Sequence, residues 1–178
     1  MSLSTNILYI MSGLPGTGKT TLSELLSQHL QAFHLRVDTI EQALRDLCNY
    51  KVEGEGYRLA YRIAADNLKL GHSVIADSVN PWPLTRKEWH DVAISNGCDF
   101  IDIEVSCSDK DEHRHRVEDR SVDIPGLILP SWEDICNRDY LEWESNVLKI
   151  NTFDQSPSQS LETLSILIRE HSGTGPMH

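Results

Sequence analysis

Residues Gly13 to Thr20 read Gly-Leu-Pro-Gly-Thr-Gly-Lys-Thr, a full match to the pattern G-x-x-x-x-G-K-[ST]. These residue types suit a polyphosphate. Glycines at 13, 16 and 18 free the backbone to aim successive N–H groups at phosphate oxygens, with Leu14, Pro15 and Thr17 completing the loop and Thr21 following it. Lys19 is placed to reach the β- and γ-phosphates, and Thr20 to offer its hydroxyl to a magnesium ion bridging them. The apolar run Ile7 to Met11 lies before the loop, and Leu22, Leu25, Leu26 and Leu30 recur at helical spacing after it. That order is strand, loop, helix.

Two aspartates follow apolar stretches and extend this chemistry. Asp38 ends the short run Leu35 to Val37, where a carboxylate can take the proton of an attacking substrate hydroxyl or can cap the helix beginning at Thr39. Asp77 closes Val74-Ile75-Ala76, a position suited to holding magnesium directly or through water, and equally to capping a loop. The segment His113 to Arg120 is a basic island. A spacing of four sets Arg116 and Arg120 on one helix face, from which both can swing over a triphosphate, while Arg114 can stack on a base; the other reading is a solvated face paired with Glu112, Glu118 and Asp119. Arg86 and Lys87, after the Asn80 to Pro83 turn, either bind substrate or decorate a helix. Trp82, Trp132, Tyr140 and Trp143 line a substrate pocket or belong to the core. His90, His113 and His115 have no metal-ligand spacing.

The elements that must position these groups alternate. Strands are expected at 7–11, 35–37, 73–76, 100–105 and 147–150, the fourth with Asp102 and Glu104 on an exposed face. Helices are expected after the loop and over 39–47, 57–70, 84–95, 108–120, 131–144 and 161–169. Five strands separated by helices predict a parallel sheet with right-handed crossovers, an α/β fold of three layers, with ligands at the carboxyl ends of the strands. Residues 121–130, with Pro125, Gly126 and Pro130, read as a flexible cover, so that about 109–130 form a small helical lid.

The chain has 178 residues, enough for one domain, expected over 1–171 with a flexible tail at 172–178. With 27 acidic and 16 basic residues its formal net charge is -11, which disfavours a long anionic polymer such as nucleic acid and favours a small acceptor. No run of 18 apolar residues and no basic-then-apolar leader is present, so no membrane association and a cytoplasmic location are expected. Cys48, Cys98, Cys107 and Cys136 lack C-x-x-C spacing and read as reduced, partly buried small hydrophobes.

On the Gly13 to Thr20 loop, the Arg36-Val37-Asp38 and Val74 to Asp77 strand ends and the Arg116/Arg120 spacing, the chain resembles the small P-loop kinases of the AAA-type group. These include adenylate kinase, gluconate kinase, chloramphenicol phosphotransferase, zeta toxin and polynucleotide kinase. The resemblance implies a five-stranded sheet of order 2-3-1-4-5 and a general-base role for Asp38. It also implies an adenine-packing loop at Thr152 to Pro157, with Gln155 and Pro157 against the base. Two departures concern the acceptor: residues that hold a second nucleotide have no match, and Arg36 stands where several relatives keep an apolar residue.

The expectation is an ATP- and magnesium-dependent kinase acting on a hydroxyl of a small molecule. Adenine is the default base because no N-K-x-D motif occurs. A nucleotide or polynucleotide 5′-kinase and an ATP-hydrolysing switch protein are the alternatives. The identity of the acceptor and the oligomeric state stay open.

Overall fold

The computed structural model describes residues 6–143 and 146–173. The strands are β1 (Ile7–Ser12), β2 (Phe33–Arg36), β3 (Val74–Asp77), β4 (Asp99–Ser106) and β5 (Leu148–Asn151). The helices are α1 (Lys19–Leu30), α2 (Val37–Cys48), α3 (Glu55–Lys69), α4 (Pro83–Ser95), α5 (Lys110–Glu118), α6 (Trp132–Cys136) and α7 (Pro157–Gly173). All pairings among the strands are parallel and the sheet order is β2-β3-β1-β4-β5, as expected.

Strand alternation divides the core. Leu8 and Ile10 of β1 point to one face, where Ala60, Ala64 and Leu68 of α3 and Trp89 and Ala93 of α4 cover them. Tyr9 and Met11 point to the other, against Leu22 and Leu26 of α1 and Leu164 and Ile168 of α7. Trp89, Leu8, Ile10, Leu22, Leu26 and Leu164 are fully buried, each contributing about 1.5–3 kcal/mol. With both faces covered and every strand parallel, the carboxyl edges of β1, β2, β3 and β4 come together at one end.

Several boundaries differ from the sequence reading. β2 ends at Arg36, so Asp38 lies in the first turn of α2 and not on the strand. The face of β4 bearing Asp102 is not exposed: α4 covers it, and His90 donates from Nε2 to Asp102 Oδ2 at 2.8 Å, leaving Asp102 6 % exposed. The helix expected over 131–144 is the five-residue α6, opened by a Ser131/Asp134 capping box; Glu144, its expected end, lies outside the described residues. α7 continues through Gly173, so the first two residues of the expected tail are helical, and residues 174–178 lie outside the described residues. Cys48 and Cys136 are exposed, not partly buried.

Candidate nucleotide and acceptor site

The loop from Gly13 to Gly18 joins β1 to α1 and is held from three sides. Gly13, Gly16 and Gly18 all have positive φ, a region that side chains disfavour, and Gly18 is the left-handed residue from which α1 starts. Space forbids a side chain as well. A Cβ on Gly13 would fall 2.3 Å from the Val105 carbonyl oxygen, and one on Gly16 would fall 2.5 Å from Val117 Cγ2. His113 of α5 donates from Nε2 to the Pro15 carbonyl at 2.8 Å, and the Thr152 hydroxyl donates to the Thr17 carbonyl at 2.8 Å. Asn80, fully buried, ties the end of β1 to α4 by donating to the Met11 carbonyl and accepting from Trp89 Nε1.

Under this loop lies a buried charge cluster. Lys19 Nζ is 2.5 Å from Asp77 Oδ1, and His34 Nε2 is 3.3 Å from Asp77 Oδ2. Burial alone would raise the Asp77 carboxyl; the Lys19 ammonium and the His34 hydrogen bond reverse this and hold it well below the usual carboxylate range. His34 comes into reach because β2 pairs with β3 in parallel.

Four cavities join end to end across the carboxyl edge of the sheet. The first, about 290 Å³, lies between Thr152, Gln155, Pro157 and Arg116. Through Gly18, Thr21 and Arg116 it opens into a second, about 340 Å³, over Lys19 and Thr20 and under Arg120 and Asp123. Lys19, Thr20 and Arg120 lead into a third of about 380 Å³, where Asp38 and Glu41 of α2 face them. Asp38, Glu41, Val79 and Arg138 then open onto a chamber of about 550 Å³ between α2, α3 and the start of α4. The trough runs in order from a base-sized slot to a polyphosphate loop, a carboxylate and a separate chamber.

The cover over this trough is fastened rather than loose. Asp123 accepts both terminal nitrogens of Arg36 at the end of β2, and Gly126, at positive φ, sits where a Cβ would come within 2.9 Å of Gln42 Nε2. The Arg36 hydrogen bond holds the Asp123 carboxyl below its ordinary value. Arg36 Nε, buried without a hydrogen bond, is 3.9 Å from Asp38 Oδ2.

Among the expected site residues, Leu14 and Thr17 form the loop's own turn, in which the Thr17 hydroxyl donates to the Leu14 carbonyl, while Gly16, Gly18, Lys19, Thr20 and Thr21 line the trough. The lid arginines do not share a helix, because α5 ends at Glu118, yet both line the cavity over Lys19 and Thr20; Arg116 also donates to Thr152 beside the first cavity, and Arg120 also lines the third. Arg114 points away and pairs with Glu118 at 2.7 Å. Arg86 is also displaced from its expected role. It is buried, donates to the carbonyls of Asn80, Leu141 and Glu142, and stacks on Tyr140 and Trp143, so it fastens the 141–143 segment. Trp132 packs on His113, and Trp82 alone of the four aromatics lines the far chamber.

Glu41, Arg45, Arg138 and His34 were not singled out by sequence. Glu41 had a readable signal, standing three residues after Asp38 on the same face of α2. The others enter through tertiary packing.

Of the two expected magnesium donors, Thr20 lines the trough, whereas Asp77 is ionised but buried beneath it, its oxygens held by Lys19 and His34, so it fits the ion once Lys19 turns to a phosphate. Among the described residues no cluster of three His, Cys, Asp or Glu side chains forms a metal cage, and no helix is long and apolar enough to cross a membrane.

The sheet order and the loop define the P-loop kinase fold. The AAA domain family model matches residues 8–125, well over half of the chain, and the chain belongs to that family. No curated protein matches it in sequence. Among solved structures it is similar to the APS kinase CysC of Mycobacterium tuberculosis in complex with AMPPNP and APS, with TM-score 0.65 and 18% identity over 92% of this chain and 98% of that one. Kti12 of Chaetomium thermophilum in complex with ADP-AlF3 aligns with TM-score 0.66 and 20% identity over 91% and 97% of the two chains. A gluconokinase of Sinorhizobium meliloti aligns with TM-score 0.64 and 12% identity over 99% and 100%.

Proposed function

We propose that the protein is an ATP-dependent kinase that transfers the γ-phosphoryl group to a hydroxyl of a small acceptor. The observation carrying this reading is the continuity of the trough, in which Asp38 stands between the Lys19/Thr20 loop and a chamber separate from the nucleotide. Adenine takes the slot between Arg116, Gln155 and Pro157, and the triphosphate lies on the loop amides at the start of α1. Lys19 then exchanges Asp77 for β- and γ-oxygens.

The acceptor oxygen bonds to the γ-phosphorus as the bond from that phosphorus to the β-bridging oxygen breaks. ADP leaves with the electron pair, and the hydroxyl proton passes to the Asp38 carboxylate. Arg120 and Lys19 stabilise the charge on the transferring oxygens. Thr20 and Asp77 would hold magnesium, which when bound neutralises charge on the β- and γ-phosphates. The similarity to nucleotide-bound APS kinase and Kti12 structures supports the nucleotide side of this reading.

The test follows γ-labelled ATP with magnesium and pooled hydroxyl-bearing metabolites. Label in an organic product supports a kinase; label only in inorganic phosphate rejects it in favour of a hydrolase switch.

A further inference from the structure

The cavities flanking Asp38 have opposite electrical character. Around the junction with the phosphate loop stand Lys19, Arg45, Arg120 and Arg138, an excess of cations over Asp38 and Glu41. In the chamber beyond, Asp38 and Glu41 are joined by Glu53, Glu88 and Asp139, against Arg58 and Arg138 on the wall and Lys51, which pairs with Glu53 at 3.2 Å from outside it. The sign reverses within one trough. Cations serve a polyphosphate, and an excess of carboxylates serves the opposite charge.

The chamber is built and not merely acidic. Gly56 at the start of α3 leaves room for Glu41: a Cβ there would fall 2.2 Å from Glu41 Cγ. Burial raises the Glu41 carboxyl above its ordinary value even though Arg45, 3.2 Å away, pulls the other way. Glu88 is fixed by the Tyr61 hydroxyl, which donates to it at 3.0 Å. The Ser78 hydroxyl, 3 % exposed and lining the chamber beside the Tyr57 phenol, makes no hydrogen bond of normal length and is available to an entering polar group. Trp82, half exposed, supplies an aromatic face on the same wall. A volume of about 550 Å³ suits a molecule of sugar size.

We infer that the acceptor is a small polar alcohol carrying an ammonium group, its reacting hydroxyl at Asp38 and its charged end among Glu53, Glu88 and Asp139. This rests on the kinase reading above and adds the charge of the substrate to it. The transfer step is unchanged. The ammonium keeps its proton while the hydroxyl proton goes to Asp38, and the chamber carboxylates balance the charge.

The experiment sorts the products of a labelled phosphotransfer screen, run on the full chain with magnesium-ATP and a library spanning amino alcohols and amino sugars, neutral polyols and sugar acids. Label is expected in ammonium-bearing members, with kcat/KM at least about tenfold above the N-acetylated or hydroxyl-for-amine counterpart. Glu53→Gln and Asp139→Asn are each expected to raise KM for that acceptor about fivefold while KM for ATP is unmoved. Preference for a neutral or anionic alcohol overturns the charge assignment and leaves the kinase standing, as does an acceptor KM indifferent to both substitutions. Label released only as inorganic phosphate with every member overturns the kinase reading and this inference together.

Discussion

Lys19 Nζ sits 2.5 Å from Asp77 Oδ1, an ion pair whose side chains are 8% and 1% exposed. Each is the other's main counterion, so a nucleotide recruits Lys19 only by offering phosphate oxygens in place of a carboxylate. Removing one partner leaves a buried charge unpaired, at a cost of about 3–5 kcal/mol. Lys19→Met is expected to abolish turnover and lower Tm sharply, and adding Asp77→Asn to restore much of the Tm without activity. Calorimetry on the two variants checks this; a single variant as stable as the wild type contradicts it.

Asp38 is about two-fifths exposed and lines both the cavity over Lys19 and Thr20 and the chamber beyond it. Asp38→Asn is expected to lower kcat by about 10²–10⁴ with KM for ATP within a factor of two. Steady-state kinetics with an acceptor found in the phosphotransfer screen decides it, and a wild-type kcat removes Asp38 from the chemistry.

Arg116 and Arg120 both line the cavity over Lys19 and Thr20 but should fail differently, because Arg116 also reaches the base slot and Arg120 the junction with Asp38. Arg116→Ala removes the contacts to Thr152 at the base slot and is expected to raise KM for ATP about tenfold. Arg120→Ala removes a cation from the phosphate end and is expected to lower kcat about 10²-fold with little change in KM. Exchanged phenotypes would reverse the assignment.

Arg86 gives its donors to backbone carbonyls and so acts as a fastening of the 141–143 segment. Arg86→Ala strips donors from three carbonyls and a cation from two rings, for an expected loss of about 3 kcal/mol and about 10 °C in Tm. Acceptor KM measured well below the new Tm should be unaltered; a selective rise in KM would return Arg86 to the binding site.

Glu41 sets a pH dependence whose sign can be worked out. Burial raises its carboxyl in the folded protein and outweighs the opposing pull of Arg45 and Arg138, so folding is favoured when the proton is bound. That stabilisation is complete below the unfolded value and is lost as pH rises through the folded one, leaving charged Glu41 a net cost at neutrality. Glu41→Gln is therefore expected to raise Tm at pH 7 and to change it little near pH 4. Thermal scans at both values test this, and a lower Tm at pH 7 contradicts it.

What the sequence disclosed was local. The phosphate loop, the order of strands and helices and the turn at Asn80 follow from residue type and spacing within a few positions of each other. What it concealed was set by partners far along the chain. The exposed face expected for Asp102 assumed no helix above it, yet His90 of α4 lies there. The long helix expected over 131–144 stops at Cys136 because Tyr140 and Trp143 are drawn onto Arg86. Continuing one helix through Arg120 overlooked Asp123, which turns the chain back toward Arg36, 87 residues earlier. The chamber of Glu53, Glu88 and Asp139 is assembled from three segments, so no window of sequence contains it.

The Arg36–Asp123 pair makes the 121–130 stretch, which has no regular structure of its own, a flap buckled to the innermost residue of an edge strand. Arg36 also faces the carboxylate that opens α2. One guanidinium thus answers to two acids, Asp123 in that stretch and Asp38 on the cavity wall, so a substitution at either carboxylate changes the field felt by the other through a single side chain.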